Sequence, residues 1–131
     1  MSGAHSAPAY FRKADATLAA ARLLLQPHDS DGACNRAYYA MFDAAHAALF
    51  ALGVEGLDAP IKTHNGLLAK FGQHVVATGR LSAELGGDLN KVQTLRQLAD
   101  YSGDPVAQDR AAWAVERAAA FVADVREEFG P

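Results

Sequence analysis

The stretch from Ala33 to Leu52, ACNRAYYAMFDAAHAALFAL, limits the fold more than any other part of the chain. It is apolar almost throughout, yet it gathers its few polar side chains on one side. Wound at about 3.6 residues per turn, it places Cys34, Tyr38, Met41, Phe42, Ala45, Leu49 and Leu52 on one broad apolar face. Ala33, Ala37, Ala40, Ala44, Ala47, Ala48 and Ala51 form a second face of methyl groups alone, over which another helix backbone can approach closely. The pattern predicts a central helix, roughly 30 Å long, with neighbours on two sides. Asn35, Arg36, Tyr39, Asp43 and His46 share the remaining arc, the only part predicted to face water or a ligand.

Further helices follow from the same periodicity. Ser6, Ala7 and Pro8 make a helix opening, because proline is tolerated where its missing N–H has no partner anyway. Phe11, Ala14, Leu18, Ala21, Leu24 and Leu25 then repeat at three and four, and this helix ends before Pro27. Ser30 or Asp31 is the expected cap of the central helix, which Gly53 and Gly56 stop. Thr63 caps a third helix carrying His64, Leu67, Leu68, Phe71, Val75 and Thr78 on one face, ended by Gly79. Asp88 is the expected cap of a fourth helix with a buried stripe of Leu89, Val92, Leu95, Leu98 and Ala99. Asp104 and Pro105 are expected to open the last helix, which buries Ala114, Ala118, Phe121, Val122, Val125 and Phe129, with Trp113 as a packing anchor. With half the residues hydrophobic, alanine abundant and β-branched residues few, helix is favoured over strand throughout. The predicted fold is all-α, an up-down bundle of four to five helices in one domain over residues 1–131, a length that buries a core without a disulfide or metal staple.

Cys34 is the single cysteine and lies on the apolar face, so it reads as a small buried hydrophobe, and a cytoplasmic location is the simplest expectation. The opening MSGAHSAPAY has no basic region followed by an apolar run, and the most apolar helix is interrupted by Asn35, Arg36, Asp43 and His46. Neither an export signal nor a membrane span is expected. A formal charge of −3 lacks the positive field of a protein that binds nucleic acid by charge alone, so no DNA partner is predicted and any RNA contact needs a local cluster. The five histidines show no i,i+4 pairing of a helical zinc site, and neither metal nor cofactor is expected. His28 beside Asp29 and Asp31 reads as an ordinary polar turn rather than a metal site. No glycine-rich phosphate loop or nucleophile elbow is present.

What remains for chemistry is Arg96 at the border of an apolar stripe, with Asp100 one turn on and Tyr101 beside it. An arginine can clamp a phosphate or stabilise developing phosphoryl charge, an acid can orient it, and a phenol can donate or accept a hydrogen bond. A structural ion pair between helices has the same composition. Asn35, Arg36, Tyr39 and Asp43 are the candidate binding residues backing this site. His64 is expected to be a core histidine bonded to a backbone carbonyl or to Tyr39; if the third and fourth helices are neighbours, it can instead serve Arg96 as a general base.

Three ordered segments, NRAYYAMFDAAHAAL, THNGLLAKFGQHVVATGRL and LRQLADYSGD, resemble the stand-alone HEPN-domain proteins, related to the HepT-like toxins. The resemblance covers nearly the whole chain. It implies a helical bundle that dimerises and, in active members, a metal-independent RNA cleavage centre at the dimer cleft, built on an arginine followed four to six residues on by a histidine. Arg96 matches the arginine, and Asp100 and Tyr101 match the DY of this subfamily. Tyr101 stands where a four-residue gap would put the histidine, and no histidine follows it. Tyrosine titrates near 10 and is a poor general base at neutral pH. The resemblance thus implies either an RNA-acting protein of a toxin-antitoxin or defence-type system, or a non-catalytic module that binds RNA or a nucleotide or docks a minimal nucleotidyltransferase.

Overall fold

A computed structural model of the chain describes residues 5–27, 29–57 and 59–131. Its helices are α1 (Ala7–Leu25), α2 (Ser30–Leu52), α3 (His64–Phe71), α4 (Ala83–Ser102) and α5 (Gln108–Phe129), with a π-helical turn, Gly72–Val76, continuing α3. No strand occurs among the described residues, and the all-α bundle is as expected. The turn reading of His28 lies outside the described residues.

α1 opens as read: the Ser6 hydroxyl accepts the Ala9 N–H at 3.3 Å, with Pro8 in the first turn. At the start of α2 the cap is Asp29 rather than Ser30 or Asp31, its Oδ1 accepting the Gly32 N–H at 3.0 Å. Ser30 and Asp31 are used across the fold instead. The Ser30 hydroxyl donates to Gln108 Oε1 at 2.8 Å, and Asp31 Oδ1 accepts the Val106 N–H at 2.7 Å, tying the α2 entry to that of α5. α2 ends at Gly53, whose φ of 63° closes the helix in the left-handed region that glycine adopts without strain.

The core is arranged around α2, which packs most extensively on α1 and α5 and meets α4 on a third side. Ala33, Ala37, Ala40, Ala44, Ala47 and Ala48 are fully buried, so neighbours in the same chain fill most of the methyl face and that face offers no free surface to another subunit. Ala51 alone is exposed. The polar arc is narrower than expected, since Asp43 is buried beside α1 and His46 is fully buried. His46 acts as a clip: Nδ1–H donates to the Phe42 carbonyl and Nε2 accepts the Ile61 N–H, both at 2.9 Å, holding the α2–α3 connection on α2. Its two backbone partners satisfy both ring nitrogens, which is why an imidazole is tolerated there.

Leu67, Phe71 and Val75 keep one buried face across the junction of α3 with the π-turn. Two predicted starts move. α4 begins at Ala83 after Ser82, and Asp88 lies inside it, pairing with Arg117 at 3.6 Å. α5 begins at Gln108 because the backbone around Val106 is committed to Asp31, so Asp104 and Pro105 stay in the connection. The α4 stripe is also shorter than predicted. Leu85, Leu89, Val92 and Gln93 are buried, Leu95 and Ala99 are half-buried, and Leu98 is exposed, because α4 leans on α2 and only lightly touches α5. Phe129 is likewise only half-buried at the end of α5. No helix among the described residues is long and apolar enough to cross a membrane.

Candidate functional site

Where α4 crosses α2, the Arg96 guanidinium lies over two phenol rings, its Cζ 5.1 Å from the Tyr38 centroid and 5.7 Å from that of Tyr39. Tyr38 and Tyr39 meet edge to face with centroids 5.1 Å apart, so together they form an aromatic seat for the cation. Arg96 Nε donates to Gln93 Oε1 at 3.0 Å, fixing the guanidinium plane from the preceding turn. The expected partner Asp100 stands at 3.6 Å from Nη1, and its side chain is 69% exposed against 19% for Arg96. That separation in solvent makes a weak pair, worth at most about 1 kcal/mol. Arg96 is therefore held by stacking and one neutral acceptor, with its charge little compensated.

Beneath this seat runs a hydrogen-bonded chain. The Tyr38 hydroxyl lies 2.9 Å from His64 Nδ1, and His64 Nε2 lies 3.2 Å from Asn90 Oδ1. With Asn90 accepting at Nε2, the neutral ring carries its proton there and Nδ1 accepts the phenol hydrogen. Burial pushes Tyr38 well above the usual phenol range, with Arg96 opposing the shift, so the hydroxyl stays a donor and cannot act as a base near neutral pH. Cys34 is pushed up to about 11, chiefly by burial, and is a thiol with no nucleophilic character at neutral pH.

His64 therefore departs from the core-histidine reading. It is half-buried rather than a core residue, and its partners are Tyr38 and Asn90, not Tyr39 or a backbone carbonyl. It meets Arg96 through the intervening Tyr38 ring. Tyr39 joins the site as expected, 39% exposed at its rim. Asn35 is half-buried and Arg36 exposed on the same helix. Asp43 does not join. It faces α1, where the Thr17 hydroxyl donates to Oδ2 at 3.4 Å, and burial, partly opposed by Lys13 and Thr17, pushes it up to about 6. Tyr101 is 87% exposed and forms no hydrogen bond or ring contact with Arg96. Sequence reasoning missed Tyr38, Gln93 and Asn90. Gln93 carried a usable signal, three residues before Arg96 on one helix; Tyr38 was hidden by its place on the apolar face, and Asn90 had no local signal.

Over residues 7–128 the chain matches the HEPN domain family. The protein belongs to that family. This HEPN chain is 41% identical over 91 residues to UPF0332 protein glr0978 of Gloeobacter violaceus, covering 70% of this chain and 68% of that protein. It is 37% identical over 90 residues to a UPF0332 protein of Thermotoga maritima, covering 69% and 64%. With the Methanocaldococcus jannaschii protein described as "Putative toxin MJ0605" it shares 30% identity over 114 residues, 87% of this chain and 81% of that one. Arg96, its tyrosine seat and the His64–Asn90 chain all lie inside the matched HEPN segment.

Proposed function

We propose that this HEPN-domain protein binds RNA, or a nucleotide phosphate, at Arg96, and does so as a homodimer within a toxin-antitoxin or defence-type system. The observation that carries the reading is the state of Arg96: stacked on Tyr38 and Tyr39 and oriented by Gln93, yet paired only with an exposed carboxylate at 3.6 Å. A guanidinium fixed in this way loses little further freedom on meeting a phosphate and can form charge-assisted bonds. Asp100, 69% exposed at 3.6 Å, competes only weakly with an incoming anion. The likeness to the M. jannaschii protein described as a toxin supports the biological setting.

Binding is favoured over cleavage by the chemistry beside Arg96. No histidine follows it in the chain. His64, which shares Tyr38 with Arg96, has both ring nitrogens engaged. Incubation of the purified protein with a mixed RNA pool in chelator tests this: RNA should be retained by the protein and recovered intact. Cleavage that disappears in His64→Gln with the fold preserved would replace this reading with a catalytic one, His64 serving as general base.

A further inference from the structure

α4 has a second surface, turned from α2 toward α5. Leu95, Leu98 and Trp113 line a groove of about 400 Å³ there, with Lys91 and Arg110 among its lining residues. A second depression of about 240 Å³ shares Leu95, Leu98 and Arg110 with it and continues to Ser102. The channel thus follows α4 from Asn90 to Ser102, roughly 18 Å at about 1.5 Å per residue. Leu98 is 58% exposed and Trp113 37%, which leaves two large apolar side chains facing water along the groove.

The electrostatics narrow the occupant. Neither Lys91 nor Arg110 forms an ion pair among the described residues, although the chain carries an excess of acid. The larger groove has no carboxylate among its lining residues, and the smaller has only Asp104 at its far end. We infer that this groove docks an acidic amphipathic helix of a partner protein. Three turns of helix match its length, apolar anchors spaced i, i+3 or i+4, and i+7 meet Leu95, Leu98 and Trp113, and glutamates or aspartates on the helix flanks meet Lys91 and Arg110. A second copy fits worse, because pairing this face with itself sets cations against a surface that offers mainly cations. A small molecule would be poorly enclosed, because the groove stays open to solvent along its length. The groove meets the phosphate site only at Asn90, which bonds His64, while Arg96 itself lies on the α2 side of α4.

Trp113 is the sole tryptophan, so its emission reports occupancy of the groove in the full-length protein. The probes are two stapled helical peptides of about 14 residues, each with leucines on one face and either glutamates or lysines on the other. The glutamate peptide should shift Trp113 emission saturably and bind at least about tenfold tighter than the lysine peptide. The double variant Lys91→Glu/Arg110→Glu should reverse that preference, and Leu98→Asp should abolish both interactions without changing the state of self-association. All three positions are exposed, so each variant should keep the helical circular dichroism of the parent. Equal binding of the two peptides, or emission unmoved by either, overturns the inference. Self-association that Leu98→Asp disrupts also overturns it and assigns the groove to a second copy.

Discussion

Asp43 and His46, one turn apart on α2, titrate in opposite senses. Asp43 is raised to about 6, mainly by burial, against about 3.9 for the unfolded chain, so the folded state holds the extra proton between those values. Its contribution is therefore most favourable on the acid side and is lost as pH rises through about 6. His46 is lowered by burial, so its neutral form contributes stability above the unfolded value of about 6.5, which is lost as pH falls. Asp43→Asn removes the first contribution and leaves the second. Urea unfolding from pH 3.5 to 8 should find this variant more stable than the parent by up to about 2 kcal/mol at neutral pH, with the difference vanishing near pH 4. A constant difference across that range would mean that Asp43 titrates as an ordinary surface carboxylate. Neither burial was legible in the sequence, because the arc holding both residues looked solvent-facing until α1 and the α2–α3 connection were laid over it.

Helix boundaries were readable where they are made locally. Ser6 with Pro8, Thr63, whose hydroxyl accepts the Gly66 N–H, and Gly53 all work within one turn of their own helix. Gly53 gives a direct check: space around it is open, so Gly53→Ala costs only the left-handed backbone, about 1 kcal/mol in thermal unfolding, with no change in packing. A much larger loss would show that the α2–α3 connection depends on Gly53 in some further way. Boundaries made over distance were not readable. The start of α5 depends on Asp31, far away in sequence, taking the Val106 N–H. The π-turn after α3 was equally hidden, because Leu67, Phe71 and Val75 keep the four-residue spacing of an unbroken helix. Leu98 fits the α4 periodicity and misleads for a different reason, namely that α5 stands too far off to cover it.

At the scale of the molecule, the family and the helical bundle were legible because three segments keep their order along nearly the whole chain. The site was legible in part. Arg96 stood out as a charge on an apolar border, but the tyrosine seat that holds it arises only when α4 crosses α2. Assembly is the next expectation, and it rests on the family likeness and the partly exposed Arg96, since α1 and α5 largely cover the methyl face of α2. Sedimentation at micromolar concentration should find a dimer, and a strictly monomeric species would rule out any site composed from two subunits. The central claim is that Arg96 serves a phosphate rather than the fold, and Arg96→Ala tests it by reading RNA binding and melting temperature on the same preparation. Binding should weaken by at least about tenfold while the melting temperature falls by no more than the lost stacking explains, about 5 °C. A clear fall in melting temperature with RNA binding unchanged would contradict the claim and leave Arg96 as a structural partner of Tyr38, Gln93 and Asp100.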